Sequence, residues 1–315
     1  MLYEVRHETR FQYEWPVAIS HQLLKLRPRR CTRQNVLETA VTLSPQPGFQ
    51  RDWLDYFGNV VEFVTVQGSH SELVVTSTSQ VEVIAASAVM LEMSPPWEDV
   101  VAQLGTHLQG EWLGANGFRF ESPFIRFDPT IQAFAREIFT PGRPVLDGAR
   151  ALTAHIHRNF SYQGGVTDIY TPASEVLRDR RGVCQDFAHL AIAALRSLGL
   201  PARYVSGYLR TEASNGVPHI GADASHAWVQ VWAPGTPGVP ADGWLDLDPT
   251  NDLVPAADHV RLATGRDYGD VAPLRGVIRG GGRHELTVGV TTRPFHPLPA
   301  PGPGVANLMA GQVAR

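Results

Sequence analysis

The residues that decide the fold run from Arg181 to Asn251: RGVCQDFAHLAIAALRSLGLPARYVSGY (181–208), then ASHAWVQVW (224–232), then GWLDLDPTN (243–251). In the first piece Phe187, Leu190, Ala191, Ala194, Leu195 and Leu198 recur at spacings of three and four, which predicts an amphipathic helix with one buried face. Gly199 supplies its stop and Pro201 prevents continuation. Cys184 therefore stands at or just inside the helix N-terminus, where unpaired N–H groups and the positive end of the dipole favour a thiolate. Asp186 suits a helix start but opposes that thiolate, so a cationic partner is needed.

A histidine is the natural one. Ala227, Val229 and Val231 alternate with His226, Trp228, Gln230 and Trp232, so His226 opens a β-strand and shares its face with two tryptophans. Trp228 and Trp232 are candidates for an aromatic pocket wall that excludes water and strengthens thiol–imidazole coupling. The next strand, Gly243 to Asp248, is ended by Pro249; Pro234, Gly235, Pro237, Gly238 and Pro240 make the turn, so the two read as an antiparallel hairpin. A carboxylate there can accept a hydrogen bond from the imidazole, fix its tautomer and stabilise the imidazolium. Asp246 and Asp248 both lie on the required strand face.

The pieces GVCQDFAHL, LGLPARYVSGY, SHAWVQVW and GWLDLDPTN resemble, in that order, the core of the bacterial transglutaminase-like superfamily, which contains transglutaminases and cysteine proteases. The resemblance implies an α+β fold, a papain-like, transglutaminase-like core of helices packed on an antiparallel sheet. It implies Cys184 as nucleophile (the GxC cysteine), His226 as base (the HAW histidine) and Asp248 as the orienting acid (the DPT aspartate), with Asp246 as fallback. It also implies a peptide or protein substrate attacked at an amide through a thioester, by hydrolysis or by transamidation. In this superfamily a side chain upstream of the nucleophile helps form the oxyanion hole; Tyr162 is the candidate beside the Cys184 N–H, with Gln185 as a weaker one. The rival reading is a catalytically silent peptide- or protein-binding module.

Composition bounds the rest. With 315 residues, 43% hydrophobic and 18% charged, the chain reads as an ordinary two-domain globular protein. A net charge of −4 points to neither nucleic acid nor an anionic membrane as partner. Lys25 is the only lysine, so self-crosslinking through lysine is nearly impossible. Two cysteines, Cys31 and Cys184, fit a reducing compartment, and MLYEVRHETRFQYEW has no apolar signal core, so a cytoplasmic location is expected. Cys31 reads as a loop thiol on a basic patch with Arg27, Arg29, Arg30 and Arg33. No HExxH or CxxC spacing occurs and His219 with Asp223 does not make a metal set, so no metal or cofactor is expected.

Residues 1–93 read as an all-β, sandwich-like domain. Its first strand alternates from Leu2 to Tyr13 and is expected to end at Pro16; Gly58-Asn59 signals a hairpin. DYFGN and the opening strand resemble the N-terminal domain that accompanies bacterial transglutaminase-like cores. Residues 94–127 mix Pro, Gly and Trp and read as a linker. The catalytic core is expected over 128–296, with helices at Pro129–Phe139 and Leu146–Phe160, a strand at Ala202–Leu209, a lid-length loop at Thr211–Ala224 and a strand pair near 274–292. Residues 297–315, rich in Pro, Gly and Ala, read as a disordered tail.

Overall fold

The structure is a computed structural model and describes residues 1–107, 109–210 and 224–295; the 211–224 loop, but for Ala224, and the 297–315 tail lie outside the described residues. Strand β1 (Leu2–Leu24) runs past Pro16, because the pairing register breaks between Gln12 and Val17. Proline lacks a ladder donor and is tolerated at such an irregularity. After β2 (Gln34–Ser44) and β3 (Phe49–Leu54), β4 (Val60–Val83) pairs antiparallel with β1 along its length. One half of β4 also takes β2 and the other takes β3, the latter through the turn at Gly58, whose φ is +76°. Val17, Leu24 and Val64 from one half of the sheet pack with Leu43, Leu73 and Val75 from the other. The sandwich-like layer is thus a single sheet folded on itself.

The second unit begins earlier than its sequence suggests. Residues assigned to a linker form α1 (Trp97–Thr106) and α2 (Gly110–Asn116). Val100, Leu104, Ala115, Phe118 and Ile125 join the same core as Phe187 and Leu190. Then come α3 (Pro129–Ile138), started by the Asp128 side chain accepting the Thr130 N–H at 2.8 Å, and α4 (Val145–Asn159). A short parallel pair, β5 (Ser161–Tyr162) and β6 (Arg181–Gly182), brackets α5 (Ala173–Asp179). Helix α6 (Cys184–Ser197) is buried along almost its whole length. Beside it lie β7 (Ala202–Leu209), β8 (His226–Trp232), β9 (Trp244–Leu247) and β10 (His259–Gly265), an antiparallel sheet in the order β10-β7-β8-β9. β10 is not among the strands that the sequence predicts.

After α7 (Tyr268–Val271) the chain leaves this unit. Strands β11 (Leu274–Gly280) and β12 (His284–Pro294) return to the N-terminal sheet and pair with the free side of β1, Leu24↔Leu274 and Tyr3↔Pro294. The helices and the four-stranded sheet thus run from near Trp97 to α7, and β11 and β12 belong to the N-terminal sheet. An unpaired edge on a 23-residue strand is a liability that the returning strands remove. The two units share a buried seam, where Tyr3, Val5, Val81 and Val83 meet Tyr208, Val260 and Leu262. Among the described residues, no helix is long and apolar enough to cross a membrane.

Candidate active site

Cys184 is the first residue of α6, so its N–H belongs to the unpaired first turn. Two features hold it there. The Asp186 carboxylate reaches back to accept the Val183 N–H at 2.8 Å and the Thr167 hydroxyl at 2.7 Å. Gly182 makes room for it: a Cβ at that position would lie 2.6 Å from Asp186 Oδ2. The helix-start acid, expected to oppose a thiolate at Cys184, is therefore turned to its own loop. Burial, the largest influence, raises the Asp186 carboxyl, and these two hydrogen bonds only partly offset it.

His226 opens β8 and is 1% exposed, with its Nε2 at 2.9 Å from Asp248 Oδ2. Burial alone would lower its pKa. The charge and hydrogen bond of Asp248, and then the nearby Cys184, overcome that and push it up to about 10. Nε2 is taken by Asp248, which leaves the Nδ1 side of the ring for a further partner. Nδ1 makes no aligned hydrogen bond among the described residues. Cys184 itself is 8% exposed.

Asp248 is the most heavily bonded group in the site. Oδ1 accepts the N–H groups of Thr250 at 2.9 Å and Asn251 at 3.2 Å. Oδ2 accepts His226, the Asn251 amide at 2.9 Å and, at 3.0 Å, Nε2 of His259. Burial would raise this carboxyl, but His226 and His259 together hold it well below the usual carboxylate range. His259 is the residue that sequence reasoning missed. Its only local signal is the short alternation His259-Val260-Arg261-Leu262, easily passed over beside the longer strands. His226, Asp248 and His259 also bring three metal-ligand-type atoms within 4.8 Å of one another, a closeness the two imidazole–carboxylate hydrogen bonds account for.

Asp246, the fallback acid, does not reach His226. It accepts the Trp228 indole N–H at 2.8 Å and Arg261 at 2.7 Å. Trp228 lies against the His226 ring, with centroids 6.0 Å apart and planes 25° from parallel, and meets His259 edge-on at 5.1 Å. Trp232 does not join it: at the far end of β8 it packs against Trp112, ring centroids 4.4 Å apart. Tyr162 pairs in register with Gly182 and lies edge-on to Phe187, next to the loop that carries Cys184. Gln185 turns toward the neighbouring loop, its amide 3.4 Å from the Ile169 carbonyl. That loop borders a groove of ≈ 580 Å³ lined by Phe124, Ile169, Tyr170 and Tyr268. His219 and Asp223 lie outside the described residues.

A cysteine at a helix N-terminus, beside an imidazole that opens one strand and a carboxylate just past the end of its antiparallel neighbour, defines the papain-like class of thiol folds. Residues 132–249 match the transglutaminase-like superfamily and residues 3–82 the bacterial transglutaminase-like N-terminal region. A protein of Mycobacterium tuberculosis is 39% identical over 280 residues, covering 88% of this chain and 87% of that one. The chain belongs to the transglutaminase-like superfamily. The protein-glutamine gamma-glutamyltransferase of Pseudomonas aeruginosa is 32% identical over 138 residues, 41% of this chain and 19% of that protein. The fold is shared with a candidate cysteine protease from Cytophaga hutchinsonii, at a TM-score of 0.71 and 24% identity over 93% of this chain and 90% of the other.

Proposed function

We propose that the protein is a cysteine-dependent acyl transferase or hydrolase acting on amide bonds of peptides or proteins. The observation that carries this is the buried His226–Asp248 pair, bonded at 2.9 Å with its imidazole pushed up to about 10 by Asp248 and by Cys184 at the start of α6. An imidazole held charged beside a thiol is the condition for a resting thiolate. Cys184 Sγ attacks the amide carbonyl carbon, and the oxygen takes up the negative charge beside the Cys184 N–H, with Tyr162 as candidate second donor. His226 gives its Nδ1 proton to the departing amine as the C–N bond breaks, leaving a thioester. It then takes a proton from the incoming nucleophile, and the C–S bond breaks to restore the thiolate. Water as nucleophile makes the enzyme a protease or amidase; an amine makes it a transamidase. The groove beside Gln185, with stacked Phe124 and Tyr170 on its wall, suits the substrate's apolar side chains.

The test is mass spectrometry of a glutamine-containing peptide pool incubated with the enzyme, with and without a small primary amine. Cleaved backbones, amine adducts or conversion of Gln to Glu each support thioester chemistry and assign the acceptor, provided Cys184→Ala abolishes them. The silent binding module predicts no product and iodoacetamide labelling of Cys184 no faster than free cysteine.

A further inference from the structure

β10 is an edge strand of the core sheet, yet its outer backbone groups are not left open. Gln34, 2% exposed in the N-terminal sheet, accepts the Arg261 N–H through Oε1 at 2.7 Å and donates from Nε2 to the Arg261 carbonyl at 2.7 Å. Asn59, 0% exposed, does the same at Thr264: Oδ1 accepts its N–H and Nδ2 donates to its carbonyl, both at 2.8 Å. Each carboxamide thus copies the two-bond pattern of a neighbouring strand. Both are themselves fixed, Gln34 by the Arg29 carbonyl at 2.7 Å and Asn59 by Asp55 at 3.0 Å. Across the strand, His259 and Arg261 carry that placement to Asp248 and Asp246.

We propose that the N-terminal region is a positioning device for the thiol site: Gln34 and Asn59 seat β10, and His259 on that strand holds Asp248 against His226. His259 is a positioning residue. With two imidazoles sharing Asp248 Oδ2, each Nε2 carries a proton, which leaves His226 Nδ1 for the thiol. The idea rests on the proposed triad and adds a role for the domain that precedes it.

The test measures iodoacetamide labelling of the full chain across about pH 5 to 9. Peptide mass spectrometry counts Cys184 separately from Cys31. His259→Ala is expected to slow Cys184 labelling at neutral pH by about tenfold or more, as loss of a supporting contact typically does, and to change its pH dependence. His259→Gln, which keeps an amide donor, recovers most of the rate. Gln34→Leu and Asn59→Leu slow labelling in the same direction. Val75→Ala, buried in the N-terminal sheet away from β10, lowers the melting temperature without slowing it. If Gln34→Leu does not fold, Gln34→Glu, which keeps the acceptor and loses the donor, decides in its place. Folded His259 and Gln34 variants that label at the wild-type rate and pH dependence overturn the proposal. Wild-type labelling as slow as free cysteine overturns the functional reading beneath it instead.

Discussion

Two aspartates two residues apart, Asp246 in β9 and Asp248 just past its end, have different partners, and this sets their expected weight. Asp248→Asn removes the anion that two imidazoles share while keeping its shape, so His226 loses the charge that holds it up. Turnover is expected to fall by about 10²–10⁴, in keeping with loss of the orienting acid in other triads. Asp246→Asn leaves His226 untouched and weakens the Trp228 and Arg261 bonds instead. Its steady-state rate should fall by less than about tenfold, with the loss appearing in melting temperature. Comparable rate losses in the two variants would reverse the assignment. At Gly182 a methyl group would meet the Asp186 carboxylate at 2.6 Å, so Gly182→Ala is expected to displace the Cys184 turn and lower both labelling rate and stability.

The elements divide by how far their identity lies in local pattern. Helix α6, β7 and β8 were legible because each has its own period and its own stop, Gly199 and Pro201 for the helix and a Pro/Gly turn for β8. The proposed triad could be named for the same reason, since Cys184, His226 and Asp248 each sit at the start or end of such an element. β10 was not, because seven residues with two arginine- or histidine-bearing positions read as surface until the partners Asp248 and Asp246 are known. Helices α1 and α2 were hidden by the Pro, Gly and Trp around them, and their burial comes from tertiary contact with α6's core. Gly207 shows the same dependence: a Cβ there would lie 2.2 Å from the Val260 carbonyl and 2.4 Å from the Trp228 ring. Gly207→Ala should force β7 from β10 and cost roughly 1–3 kcal/mol in denaturant unfolding. A cost below about 0.5 kcal/mol, the size of a surface change, would mean that the strand contact yields.

At the scale of the molecule, chain order and domain order differ. β11 and β12 lie some 270 residues from β1 in sequence and beside it in space, a pairing that no local period records. Truncation after α7 should therefore unfold the N-terminal sheet and, through Gln34 and Asn59, disturb β10; circular dichroism and limited proteolysis of a chain ending at residue 272 check this. Protons link to stability with a definite sign. His226 is raised to about 10 from an ordinary 6.5, so its contribution is fully present below about 6.5 and is lost as pH rises through about 10. Asp248 is depressed, so its contribution is present above about 4 and is lost on acidification. The gap in melting temperature between wild type and His226→Ala should accordingly shrink between about pH 7 and 10. A gap that stays constant over that window would place the neutral imidazole in the folded state.

Cys184 and His226 are proposed to form a charged pair in the resting protein, and one measurement addresses this without knowledge of the substrate. It is the second-order rate of Cys184 alkylation by iodoacetamide as a function of pH, read by peptide mass spectrometry in wild type and in Asp248→Asn. A wild-type rate that is already high at about pH 6 and flat to about pH 8, with a marked drop in the variant, is the predicted result. A rate that climbs through about pH 8.5 like that of a free thiol, and is indifferent to Asp248→Asn, would contradict it.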